Sequence, residues 1–273
     1  MEISYISAEM SEDLEAALRA GVAAGCRRVS LRSPVWGAAM EDLDSARIDR
    51  TRQALARHGL QPGMLLSPVG KCAVTDAGAI AAHDGILERT FALARALDTD
   101  TVRVFPFRAP RDEPGACLEA SLDAVVARWR PWVQRAQAAK TNLCFEWVPS
   151  TLVRTGAQMR QVIDALGAPP HVGVIWELDT SVQAGASPEE DYRSLRGSIG
   201  DVHVKRFDAG ASRAQSLRAL RLLQADGYSG PVTVEHWGGE AETLAGIAAV
   251  RALKDELESD AVSGGDGGGG DPR

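Results

Sequence analysis

Eight short β-type runs, each followed by a helical pattern, divide this chain, and few folds accept so regular an alternation. The runs are ISYIS (3–7), RRVSLR (27–32), QPGMLLS (61–67), TVRVFPF (101–107), NLCFEW (142–147), VGVIWELD (172–179), DVHVKRF (201–207) and PVTVEHW (231–237). Amphipathic patterns cover 12–25, 45–59, 79–98, 116–140, 155–167, 188–200, 212–227 and 240–258. Strands joined through helices run parallel, and the helices must cover the sheet. About eight such units in roughly 258 residues match the size of a single-domain (β/α)8 barrel. A doubly wound open sheet is the structural rival, but no GxGxxG follows the first run, which weakens its dinucleotide-binding form. Ser187-Pro188-Glu189-Glu190 has the spacing of a capping box with proline in the first turn. Pro131 is expected to kink or split the stretch 116–140. The barrel is expected to occupy 1–258. The glycine-rich tail SDAVSGGDGGGGDPR (259–273) cannot bury apolar surface and is expected to be disordered.

Charge and cysteine usage narrow the partners. The net charge is −7 and no basic block exceeds a few residues, so a nucleic-acid partner is not expected. Cys26, Cys72, Cys117 and Cys144 form no CxxC and no zinc-finger spacing, as free thiols of a reducing cytoplasm would. The N-terminus MEISYISAEMSEDLEAAL lacks the apolar core of a signal peptide, and no run approaches the ~18 apolar residues of a membrane helix. The expected setting is therefore cytoplasmic, with no membrane partner and a small molecule as ligand.

The last four β-type runs carry acids and a histidine near their ends: Glu146, then Glu177 or Asp179, then His203, then Glu235. In a parallel barrel these side chains converge at one end of the sheet, where the active sites of such barrels lie. Strand parity sets Glu146 with Cys144, Glu177 and Asp179 with Ile175, His203 with Asp201 and Lys205, and Glu235 with Thr233. The opposite parity is apolar and faces the helices. Several unpaired charges inside a barrel are very costly, and a bound cation removes that cost by taking the carboxylates as ligands. The alternative is a set of strand-end salt bridges, such as Lys205 with Glu235 or Glu177. An oxygen-rich set with one imidazole suits Mn²⁺, Mg²⁺ or Co²⁺ better than Zn²⁺. Lys205 can protonate or steady a developing oxyanion, or simply pair with an acid. Trp237 shares parity with Glu235 and is a candidate to stack on a sugar, as is Trp147, while Trp176 has the parity of packing. Arg32, Arg103 and Arg206 lie at or near strand ends and can hold a phosphate or carboxylate. Arg108 and Arg111 follow the fourth run and are expected to be solvated. His83 is read as a helix or loop residue outside the site.

These segments resemble the xylose isomerase-like TIM-barrel superfamily, the sugar phosphate isomerase/epimerase group. The resemblance rests on Glu146 ending strand five and on Gly173-Val174-Ile175-Trp176-Glu177 in strand six. It rests also on Val202-His203-Val204-Lys205-Arg206 in strand seven, on Ser229-Gly230-Pro231-Val232-Thr233-Val234-Glu235 in strand eight, and on ARALDTDTVRVF (94–105). Registered on Gly173 and Trp176, it implies Glu177 as the strand-six metal ligand, with Asp179 as the alternative. It further implies that Glu146 and Glu235 bind the metal and shuttle protons, on a sugar, a sugar phosphate or a related keto-polyol. A dehydratase acting on a keto-sugar or inosose, or a degenerate sugar-binding barrel, fits the same residues. A homodimer is the family's analogy. Three departures stand out. The histidine after the strand-six acid is absent, Arg206 replaces an aspartate, and DAGASRAQ (208–215) replaces a Gly-x-Gly segment.

Overall fold

The computed structural model describes residues 1–110, 117–205, 207, 211–236 and 238–264. The eight strands are β1 (Glu2–Ile6), β2 (Arg28–Leu31), β3 (Gln61–Leu66), β4 (Thr101–Val104), β5 (Asn142–Phe145), β6 (Val172–Glu177), β7 (Ile199–Val204) and β8 (Pro231–Val234). All pair in parallel with their sequence neighbours, and β8 closes on β1 through pairs such as Ser4 with Thr233. The helices are α1 (Ser7–Met10), α2 (Leu14–Ala23), α3 (Ser45–His58), α4 (Ala77–Ala96), α5 (Leu118–Ala138), α6 (Gly156–Ala165), α7 (Leu178–Gln183), α8 (Pro188–Leu195), α9 (Arg213–Ala225) and α10 (Glu240–Gly264). The closed barrel is the one the alternation predicts.

Local chemistry starts the helices where the sequence signals them. Asp13, Asp44 and Asp76 each accept a hydrogen bond from a first-turn amide of α2, α3 and α4. Ser187 and Ser212 form complete capping boxes with Glu190 and Gln215. Three expectations need correction. Of the kink or split expected at Pro131 the split does not occur: α5 is one helix, and Trp129, Trp132 and Val133 pack both halves against the barrel. The sixth helical pattern, 188–200, ends at Leu195, because Gly197 takes a positive φ of 78° and lets the chain turn directly into β7. α10 continues through Gly264, past the boundary expected at 258, while 265–273 lies outside the described residues.

Burial follows strand parity. Tyr5, Val29, Leu31, Val102, Val104, Leu143, Phe145, Val174, Trp176, Val202, Val204, Val232 and Val234 face the helices in one continuous core. Its densest part is aromatic: Trp129 packs edge-on to Phe145 at 4.7 Å and to Trp132 at 4.9 Å. Inside the barrel, Ile6, Met64, Leu66, Cys144 and Ile175 form a separate small apolar cluster. Gly200 makes room for it, since a Cβ there would stand 2.8 Å from the Cys144 sulfur. All four cysteines are free thiols. No helix among the described residues is long and apolar enough to cross a membrane.

Candidate metal centre

At the C-terminal ends of β5, β6 and β7 one oxygen of Glu146, one oxygen of Glu177 and one ring nitrogen of His203 all lie within 4.8 Å of one another. All three residues are buried, and Glu177 and His203 have no exposed surface. Glu235, after β8, joins through His203 and Lys205: His203 Nδ1 is 3.3 Å from Glu235 Oε2 and 3.0 Å from Glu177 Oε1. Lys205 Nζ lies 2.6 Å from Glu177 Oε2 and 3.3 Å from Glu235 Oε2. Arg103 donates to Glu146 Oε2 at 2.8 Å and to the Leu66 and Ser67 carbonyls. The salt bridges expected of Lys205 are thus present, and they bind the same acids that the metal reading uses.

The electrostatics of the group are tightly linked. Burial pushes the Glu177 carboxyl upward, with Lys205 opposing and Glu235 adding to the rise. Burial works the same way on Glu235, but Lys205 and His203 outweigh it and hold that carboxyl well below its usual range. Burial disfavours the charged forms of His203 and Lys205, yet Glu177 and Glu235 raise both well above their ordinary values.

A divalent cation fits this donor set. Glu177 Oε1 is buried without a hydrogen-bond partner although the His203 ring is beside it, so the close approach is not an aligned hydrogen bond. Two carboxylates converge on a single ring nitrogen that can give at most one proton. His203 Nε2 also lacks a hydrogen-bond partner, and Asp201 Oδ2 faces it at 3.9 Å, the place of an outer carboxylate behind a ligating imidazole. Asp201 is itself fixed by Thr233 Oγ1 and the Val202 amide, and burial pushes its carboxyl up to about 6 against the opposing His203 charge.

Other sequence candidates separate clearly. Asp179 lies past the strand end: β6 stops at Glu177, and Asp179 is in α7, where it accepts from the Ala211 amide at 2.6 Å. Helical geometry after Glu177 breaks the strand parity that paired the two acids. Trp147 is fully buried and belongs to the core cluster between strands and helices, the side on which Leu143 and Phe145 lie. Trp176 packs as expected, with its Nε1 donating to Asp191. Arg32 pairs with Glu9 at 2.7 Å. Arg206, Trp237 and Arg111 lie outside the described residues. Arg108 is half-buried rather than solvated. His83, in α4, accepts from the Gly70 amide at 3.0 Å.

Two residues were missed. Glu9, in α1, is buried, its Oε2 has no hydrogen-bond partner, and burial followed by the Glu235 charge pushes its carboxyl up to about 7. No strand marks it, because it belongs to a single helical turn directly after β1. Lys71 lies in the loop after β3 and feels both Glu146 and Glu235. Gly70 sets that loop at a φ of 82°, and a Cβ there would collide with the Phe105 carbonyl. Gly70→Ala is therefore expected to cost at least about 2 kcal/mol, measured by denaturant unfolding. An unchanged midpoint would show that the loop relaxes freely.

The family model described as xylose isomerase-like TIM barrel matches residues 18–255. The chain belongs to this family. No curated protein matches the sequence. Solved structures do match across nearly their whole length. A structure of L-ribulose 3-epimerase is 19% identical, with 99% of this chain and 100% of that chain covered at a TM-score of 0.76. The probable 3-DHS dehydratase AsbF of Bacillus anthracis is 13% identical, covering 92% and 99% at 0.74. A xylose isomerase-like TIM barrel protein from Mycobacterium smegmatis, in complex with magnesium, is 16% identical, covering 94% and 97% at 0.73. At these identities the likeness is one of fold.

Proposed function

We propose that this family member is a divalent-metal-dependent isomerase or epimerase acting on a sugar, sugar phosphate or related polyol ketone. The observation that carries this reading is the approach of Glu146, Glu177 and His203 within 4.8 Å at the active end of the barrel. Hard oxygen donors with one imidazole favour Mn²⁺, Mg²⁺ or Co²⁺ over Zn²⁺. A cation held there supplies Lewis acidity toward a ketone and its neighbouring hydroxyl. Glu146 and Glu235 then take and return the proton on the carbon between them, one from each side of the substrate. Lys205, already seated between Glu177 and Glu235, stabilises negative charge growing on the substrate oxygen. Arg103 orients Glu146 through its Oε2. Arg206 and Trp237, next in sequence to Lys205 and His236, complete the proposed substrate-facing set.

Similarity in fold to L-ribulose 3-epimerase supports the epimerase reading. The same fold in the Bacillus anthracis dehydratase supports a second one, in which loss of the same proton is followed by expulsion of a β-hydroxyl. Incubation with Mn²⁺ and a panel of keto-sugars in D₂O separates them. An epimerase incorporates deuterium and keeps the mass otherwise unchanged, and a dehydratase gives a product that has lost water. Glu235→Gln is expected to slow exchange by about a hundredfold while Mn²⁺ still binds the other three residues. Undiminished exchange in that variant removes Glu235 from proton transfer. A folded wild-type chain that takes up neither Mn²⁺ nor Co²⁺ at equimolar concentration removes the metal-dependent reading altogether.

A further inference from the structure

Beside the carboxylate–imidazole group stand three cations, Arg103, Lys71 and Arg108, of which only Arg103 forms an ion pair among the described residues. Lys71 Nζ lies 4.6 Å from the centre of the Phe105 ring, and the Arg103 guanidinium carbon lies 4.9 Å from the same ring. Arg103 is occupied, by Glu146 and two backbone carbonyls. The Lys71 ammonium makes no ion pair or hydrogen bond among the described residues beyond that ring contact. Arg108 is half-buried, and its Nε is fully covered without a hydrogen-bond partner.

The backbone fixes these groups in place. The Phe105 amide donates to the Val69 carbonyl at 2.8 Å, and the Arg108 amide donates to the Cys72 carbonyl at 2.8 Å. Bridges from Arg108 to Ala73 and Thr151 complete the attachment. The loop that carries Lys71 is thereby laid along the segment that carries Arg108. The two positive charges also work against each other: burial, then Arg103, with Arg108 contributing, pushes the Lys71 ammonium below its usual range. Half-buried cations that form no direct ion pair are unfavourable, and an anionic ligand relieves them. Lys71 shares the Phe105 ring with Arg103, which donates to Glu146, so its ammonium stands beside the metal centre.

We propose that Lys71 and Arg108 form an anion-binding subsite that holds a carboxylate or phosphate of the substrate while its ketone end reaches Glu146, Glu177 and His203. The substrate is then a sugar acid or a sugar phosphate, and a neutral sugar leaves the subsite unfilled. The proposal rests on the enzymatic reading above and narrows its substrate class. It also moves anion recognition from Arg32 and Arg103, which are already paired with Glu9 and Glu146, to two cations that form no ion pair among the described residues.

Calorimetric titration of the full-length protein with inorganic phosphate and, separately, with malonate tests this. The wild type is expected to bind at least one of them, and Lys71→Gln and Arg108→Gln each to weaken that binding about tenfold or more. A preference for phosphate assigns a sugar phosphate, and a preference for malonate assigns a sugar acid. Lys71→Arg and Arg108→Lys, which keep the charge, are expected to retain binding and show that the glutamine variants failed through charge rather than folding. The subsite is overturned if neither anion binds the wild type, or if both bind every variant equally well. A parallel Mn²⁺ titration keeps the two ideas apart. Absent Mn²⁺ binding with intact anion binding sinks the metal reading alone, and the reverse result sinks the subsite alone.

Discussion

Glu177→Gln is expected to weaken Mn²⁺ binding by on the order of a thousandfold, since loss of even an outer partner of a ligand costs roughly 10–100-fold. Glutamine keeps the shape of the side chain and one carbonyl oxygen, so the barrel should fold around it. What it lacks is the second oxygen and the negative charge. In the wild type that second oxygen, Oε1, is the buried atom without a hydrogen-bond partner, and it faces His203 Nδ1 at 3.0 Å. A metal that binds the folded state alone stabilises it by about 2.7 kcal/mol at a hundredfold excess over its dissociation constant. Wild-type protein should therefore melt higher in saturating Mn²⁺, and Glu177→Gln should lose that rise. Its metal-free stability should change little, because Glu177 is repelled by Glu235 and Glu146 while attracted by Lys205. Asp179→Asn serves as the contrast. It removes an acceptor of the Ala211 amide and should leave Mn²⁺ affinity intact. If instead Asp179→Asn abolishes binding and Glu177→Gln does not, the ligand assignment is reversed.

The contrast between those two acids shows what could and could not be read from the chain. Both sit near the end of the sixth β-type run, and a strand drawn through Asp179 puts both on one face. The structure ends β6 at Glu177 and turns at once into α7, so Asp179 lies on a helical turn rather than on the strand. The eight-fold alternation, the inward parity of Glu146, His203 and Glu235, and the outward packing of Trp176 were legible because period and burial follow from the same strand geometry. Trp147 obeys that parity too and joins the core cluster. Glu9 and Lys71 were not legible. Each lies outside a strand and reaches the site through the path of a connecting segment, one through the turn α1 and the other through the left-handed Gly70. Hydrophobic periodicity carries no information about where such a segment leads.

Lys205→Met should destabilise the metal-free protein by about 3 kcal/mol, and Mn²⁺ should recover most of that loss. Lys205 sits 2.6 Å from Glu177 and 3.3 Å from Glu235, both essentially without exposure, and its own side chain is 22% exposed. Breaking a fully buried pair costs about 3–5 kcal/mol, and the partial exposure of Lys205 argues for the lower end. In a chain of this size the melting temperature should fall by roughly 6–12 °C. Methionine fills similar volume, so the deficit reports the missing charge. Its sign with pH follows from the acids left behind. Lys205 is the main group holding Glu235 well below its usual range, and that depressed value contributes stability above the unfolded carboxylate range which is lost as pH falls through the folded value. Without the lysine, the folded value of Glu177, already raised by burial, rises further, and Glu235 loses the main charge that holds it down. The deficit is then largest near neutral pH and shrinks as the pH is lowered into the range where both acids are protonated. A divalent cation supplies the same counter-charge from the other side, so the rise in melting temperature on adding Mn²⁺ should be larger in Lys205→Met than in the wild type. Equal rises would mean that Lys205 and the metal do not act on the same carboxylates, and the centre would have to be redrawn without Glu177 or Glu235.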